Sequence, residues 1–226
     1  HRGAEVLLLE ECLTHLIDQL MLPGNLTPLQ FMQNPLGVEF IHPGESLVAP
    51  GLLGREVERV LRELTDAARS FEHDPDVSAV ILTGTDQLFS LGADLRDPEL
   101  QRSRTGRLSE RRLASQTGGK MCRAWEEVEP LTIVAIEGWC VGGGAALAVS
   151  CDLRVAASSA TLYVPEIERG MNLSWGAVPR ITRLVGPARA KRVILLAERV
   201  GAAAAEQWGL VDEVVAPGTA LQAALA

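Results

Sequence analysis

The stretch "WCVGGGAALAVSCD", Trp139 to Asp152, decides how the rest of the chain is read. Three consecutive glycines follow an apolar, strand-like run and open a helix-like run. A helix start leaves backbone N–H groups unpaired and carries partial positive charge. Glycines there let a ligand approach the backbone closely. The plainer alternative is that they only ease tight strand-to-helix packing. Before Asp152 the stretch holds no acid or base, only the hydroxyl of Ser150 and the thiols of Cys140 and Cys151, so a catalytic acid or base must lie elsewhere. The spacing does not fit GxGxxG, and neither GK[ST] nor GxSxG is present. That argues against a dinucleotide fingerprint, a P-loop and a serine-hydrolase elbow.

Working outward, "LTIVAIEG" (131–138) precedes the glycines as a continuous apolar run of strand length. "CDLRVAA" and "ATLYVPEI" follow as further strands. Upstream, "VSAVILTG" (77–84) is a second continuous apolar run, the pattern of a parallel strand covered on both faces. Before it, Leu53, Val57, Val60, Leu61, Leu64, Ala68 and Phe71 recur at three and four, which predicts a helix with one buried face. "HDPD" ends that helix. The polar segment 96–112, "RDPELQRSRTGRLSERR", reads as a mobile loop leading into a helix. Downstream, two helical runs surround "WGAVPRITRLVG" and "PARAKRVILLAERV", then "AAAAEQWG" forms a helix and "LVDEVV" a strand. Residues 1–36 read as an N-terminal extension of helix and loop, and 37–226 as the core. Strand and helix alternate, so the class is α/β with largely parallel pairing.

Composition narrows the function classes. The chain has 226 residues, enough for one sizeable core, with 47% apolar and 22% charged residues, as in ordinary globular proteins. Its net charge of −8, from 21 basic and 29 acidic side chains, argues against nucleic acid or an anionic membrane as the main partner. No apolar run approaches the roughly 20 residues that span a bilayer. Cys12, Cys122, Cys140 and Cys151 form no CxxC, and His1, His15, His42 and His73 show no metal spacing. Reduced structural thiols, a cytoplasmic location and no metal or redox cofactor are the expectation.

A second small-residue turn, "LFSLGADLRD" (88–97), follows the strand 77–84 just as the triple glycine follows 131–138. Two backbone N–H groups from separate loops are what an oxyanion hole requires. With "VILTGTDQLFSLGADL", "IVAIEGWCVGGGAALAVSCDLRVAASSATLYVPEI" and "ARAKRVILLAERVGAAAAEQWGLVDEVV" in this order, residues 75–215 resemble the crotonase superfamily, the enoyl-CoA hydratase/isomerase family. The resemblance implies a ClpP-like spiral of repeated ββα units. It implies an acyl-CoA or acyl-carrier thioester as substrate, coenzyme A only as part of that substrate, and a homotrimer or hexamer. It places an oxyanion hole at the N–H groups of Ala93 and Gly143. Leu91, Gly92, Asp94 and Gly142 would line the substrate path.

Family hydratases generally use two glutamates. The first of those positions is Ala146 here, which cannot titrate, and the second is Glu166 in "YVPEIERG". One carboxylate suits a proton shuttle better than water addition, because a 1,3-shift can use one base that removes and returns the proton. The resemblance therefore implies an enoyl-CoA isomerase or related hydratase, with Glu166 as acid/base. A decarboxylase or lyase, or a non-catalytic thioester-binding subunit, are the rivals. Read as a strand, "YVPEIERG" puts Glu168 on the same side as Glu166, as a competing acid; a solvated strand-edge carboxylate is the plainer reading of Glu166. Asp152 is expected to be structural, Cys151 a core thiol and Ser90 a local hydrogen-bonding residue. Trp175 either packs in the core or shapes the space for the acyl chain. Typical members carry further C-terminal helices beyond a "GLVDEVV"-like segment; the expectation is that this core either lacks them or continues beyond residue 226.

Overall fold

The computed structural model describes residues 39–41, 56–73, 77–85, 87–93, 95 and 105–226. Strand β1 (Glu39–Ile41) is followed by helix α1 (Glu56–Ser70). Three units of strand, strand and helix come next. The first is β2 (Ala79–Thr83), β3 (Leu88–Ser90) and α2 (Leu108–Glu126). The second is β4 (Leu131–Ile136), β5 (Trp139–Val141) and α3 (Gly143–Ala148). The third is β6 (Leu153–Ala157), β7 (Thr161–Tyr163) and α4 (Ala177–Leu195). Strand β8 (Val200–Gly201), α5 (Ala202–Trp208), β9 (Glu213–Val215) and α6 (Ala220–Ala224) complete the described chain.

Each unit sends its first strand into one sheet and its second into another. The first sheet runs β1-β2-β4-β6-β9 and the second β3-β5-β7-β8. All pairings in the first sheet are parallel, and β7–β8 is the antiparallel pair of the second. The expected spiral of ββα units is therefore present.

The apolar runs behave as strands covered on both faces. In β2, Val80 and Leu82 join the main core while Ile81, between them, packs with Ala135 and Ala220 on the opposite face. That alternation follows from the two-residue period of a strand. Helix α1 buries Val57, Val60, Leu61, Leu64 and Ala68, and Phe71 in the 3-10 turn that follows it completes the predicted face against the main core. Leu53 and the extension 1–36 lie outside the described residues. The two helical runs predicted around 176–198 form one stretch broken at Gly186, whose φ of 76° and ψ of 163° precede Pro187. Among the described residues no helix is long and apolar enough to cross a membrane.

Two expectations are corrected. Residues 108–112 are the first turns of α2, so the helix starts inside the segment read as a loop. Glu166–Arg169 is a 3-10 turn and not a strand edge, because Pro165 cannot donate to a ladder and Gly170, at φ 65°, closes the turn.

The predicted structural residues hold the sheets together. The Asp152 carboxylate accepts hydrogen bonds from the Thr132 N–H at 2.9 Å and its hydroxyl at 2.8 Å. Cys122, Cys140 and Cys151 are buried and unpaired. Burial pushes the Cys122 thiol up to about 11, which keeps it protonated and unreactive.

Candidate active site

Parallel pairing of β3 with β5, Ser90 opposite Cys140, brings their two C-terminal turns side by side. A Cβ added to Gly92 would stand 2.9 Å from the Val141 carbonyl oxygen and 3.6 Å from the Gly143 nitrogen. Only glycine allows so close an approach, and its φ of 81° demands glycine as well.

In each turn one N–H is satisfied locally and the next is left over. The Gly92 N–H donates to Ser90 Oγ at 3.1 Å, the local role expected of that serine. The Gly142 N–H donates to the Tyr163 carbonyl at 2.9 Å. The following groups, the N–H of Ala93 and of Gly143, have no acceptor among the described residues. Two such donors at one cavity wall are what an oxyanion needs.

The triple glycine is required by close packing at all three positions. Gly142 has φ 54°, and a Cβ there would lie 3.1 Å from Glu166 Oε1. A Cβ on Gly143 would come within 2.6 Å of the Trp175 ring, and one on Gly144 within 2.5 Å of Ser90 Cβ. Packing and access to the backbone are thus both true of this stretch.

Beside the two turns lies a cavity of about 1020 Å³. It is lined by Leu91, Gly92, Ala93, Gly142, Gly143, Glu166 and Trp175, so seven predicted site residues meet in one place. Asp94, the eighth, lies outside the described residues. Ala146, buried to 2% exposure, also reaches the lining, and it leaves the wall there without a titratable group.

Glu166 is half-buried, and its Oε2 is shielded from solvent without a hydrogen-bond partner among the described residues. Desolvation raises its pKa above the ordinary carboxylate value, opposed by a backbone hydrogen bond and by the nearby Arg169 charge. Glu168 does not share the site. It is exposed and accepts a 2.6 Å hydrogen bond from the Tyr163 hydroxyl, beside Arg199, which lies 5.1 Å from the Tyr163 ring. The 3-10 turn rotates the two carboxylates apart, where a strand would have aligned them.

Trp175 is wedged between helices. Its indole occupies the space where a Cβ on Gly118 of α2 or on Gly143 of α3 would stand, at 2.0 Å and 2.6 Å. Its backbone sits at φ 57°, an unusual conformation for a bulky side chain. Arg180 pins it there, donating to the Trp175 carbonyl at 2.8 Å while pairing with Glu126 of α2. It is both a packing residue and a wall of the cavity.

Arg111, Arg112 and Arg169 also line the cavity and escaped the sequence reading. The first two lay in the segment taken for a loop. A helix through 108–126 would have shown Leu108, Arg111 and Ser115 on one face, at three and four residues.

The sequence pattern of the enoyl-CoA hydratase/isomerase family matches residues 57–226. The chain is 33% identical over 173 residues to a probable enoyl-CoA hydratase of Mycobacterium tuberculosis, covering 75% of this chain and 63% of that protein. It is 36% identical over 165 residues to a short-chain-enoyl-CoA hydratase of Clostridium acetobutylicum, covering 73% and 61%. The crystal structure of an enoyl-CoA hydratase from Bacillus anthracis superposes with a TM-score of 0.67 at 31% identity, over 74% of this chain and 63% of that one. The chain therefore spans 61% to 63% of the length of these relatives. Motifs, spiral topology and sequence similarity agree: this chain has the crotonase fold and belongs to the enoyl-CoA hydratase/isomerase family.

Proposed function

We propose that the chain binds an acyl-CoA thioester with its carbonyl oxygen at the Ala93 and Gly143 N–H groups, and that Glu166 is the single acid/base of an enoyl-CoA isomerase. Glu166 takes a proton from the α-carbon. The C–H electron pair moves into the thioester, and the negative charge develops on the oxygen held by the two N–H groups. The same carboxyl returns the proton to the γ-carbon, and the double bond moves with no net gain or loss of atoms. One observation carries this reading: the Glu166 carboxyl lines the cavity with its Oε2 shielded and without a partner among the described residues, and Ala146 offers no second carboxylate. A raised pKa makes Glu166 a stronger base once ionised and a competent acid once protonated.

Hydration is the second reading, and the names of the mycobacterial and clostridial relatives favour it. Incubation with a panel of enoyl-CoA thioesters in D2O separates the two. Exchange at both α- and γ-positions with a shifted double bond supports the isomerase, and a 3-hydroxyacyl product supports the hydratase. Binding without exchange or product, in wild type and Glu166→Gln alike, would overturn both.

A further inference from the structure

The chain as a whole carries a net charge of −8, yet three arginines line this one cavity. Arg111 and Arg112 project from the first turns of α2, and no ion pair or side-chain hydrogen bond holds either guanidinium among the described residues. Arg169 ends the 3-10 turn that carries Glu166, close enough to act on that carboxyl's charge. Among the described lining residues Glu166 is the facing acid, so these carry net positive charge. Arg154 pairs with Asp212, Arg180 with Glu126 and Arg192 with Glu198. Three arginines without an ion pair among the described residues here share a wall with Val57, Leu61, Leu108 and Leu173. Positive groups over a low-dielectric wall concentrate anions.

Position along the cavity bears on which end of a ligand they meet. Trp175 touches Gly143 on one side and Gly118 of α2 on the other. Arg111 lies seven residues before Gly118, about 10 Å farther along the helix at 1.5 Å per residue. Arg169 lies next to Glu166, which must face the reacting carbons and not the sulfur. Arg169 therefore stands at the reacting end of the cavity, and Arg111 and Arg112 line the same cavity about 10 Å along α2 from the Trp175 contact. On the reading of this cavity as an acyl-thioester site, on which this step rests, we propose that the acyl chain it accepts ends in a carboxylate, held by Arg111 and Arg112 with Arg169 adding field. Arginine suits that task because its planar fork matches a carboxylate with two parallel hydrogen bonds.

The test measures binding calorimetrically, with the full chain carrying Glu166→Gln so that turnover cannot interfere. The ligands are hexenoyl-CoA, the equal-length mono-CoA ester of hexenedioic acid, and free CoA. The acid-ended thioester is expected to bind about tenfold more tightly than hexenoyl-CoA, with the ratio shrinking as salt rises. In Arg111→Gln/Arg112→Gln on the same background the ratio is expected to fall to about one. Equal affinities at the start, or a ratio untouched by the double substitution, would overturn the proposal. So would a double variant that weakens free CoA in the same proportion as both thioesters, because the arginines would then be holding CoA phosphates. Wild-type turnover is followed separately. Turnover without an affinity preference sinks this proposal alone, while absence of binding by any thioester removes the acyl-thioester reading too.

Discussion

Arg154 and Glu166 are both drawn away from water, and the fold treats them in opposite ways. Arg154 on β6 is 2% exposed and fully partnered. Its guanidinium donates to the carbonyls of Leu210, Cys151 and Asp152 and to the Asp212 carboxylate, at 2.8 to 3.2 Å. Asp212 also accepts the Arg154 backbone N–H at 2.8 Å, so one carboxylate ties β6 to the approach of β9. Glu166, by contrast, keeps an oxygen away from solvent with no partner among the described residues. A buried charge with each of its nitrogens partnered is architecture, because removing any partner leaves an expensive orphan. A carboxyl left short of partners stores reactivity, because its proton is held by environment alone.

Breaking the reactive member is expected to have the largest effect. Glu166→Gln keeps the shape and removes the titration, so enoyl-CoA turnover should fall about 10²- to 10⁴-fold, measured as kcat/KM. A loss below about tenfold would mean that Glu166 is not the acid/base. Breaking the architectural member should instead register in folding. Arg154→Ala is expected to cost about 3–5 kcal/mol, read from the denaturation midpoint. A cost under about 1 kcal/mol would show that the network contributes little.

Smaller perturbations sharpen the contrast. Gly143→Ala puts a Cβ 2.6 Å from the Trp175 ring, so either the indole or the N–H must shift. An error near 1 Å at a reacting centre costs about 10²-fold, and kcat/KM should drop by about that much with KM the lesser part.

The subtlest test is pH. Burial raises the Glu166 pKa in the folded chain, so folding favours its neutral form. That contribution to stability is complete below the unfolded value of about 4.3 and is lost as pH rises through the higher folded value. Glu166→Gln should therefore match wild type in Tm near pH 4 and exceed it at pH 7. A Tm difference that does not grow with pH would contradict the desolvated site. The same raised pKa should move the acid limb of the kcat/KM profile above the range of an ordinary glutamate.

The sequence carried the fold further than the site. The runs 77–84 and 131–138 were legible as strands because three consecutive buried positions leave no polar face, as Val80, Ile81 and Leu82 show. The amphipathic face of α1 was legible from its period. Ala93, Gly143 and Glu166 were reached through motif resemblance, and the geometry then supplied a physical reason for each. Glu168 was misplaced because "YVPEIERG" alternates like a strand, while Pro165 and the left-handed Gly170 turn it. Arg154 stayed invisible, since the partners that fix its role, Leu210 and Asp212, lie 56 and 58 residues away. Trp175 was ambiguous because only the fold reveals the two glycines it packs between. Arg111 and Arg112 were missed once their polar neighbourhood had been taken for a loop.

Glu137, the residue after β4, is 9% exposed, and its Oε1 accepts the Ala220 N–H at 3.1 Å across 83 residues of chain. With Ile81, Ala135 and Ala220 it clips α6 to the far face of the parallel sheet, opposite the cavity. A contact closing so long a loop forms after the local units have condensed. It should therefore be absent from the folding transition state, and Glu137→Ala should speed unfolding while leaving the refolding rate nearly unchanged. The C-terminal helix of the described chain would then act as a latch on the lifetime of the native state, with little influence on how fast that state is reached.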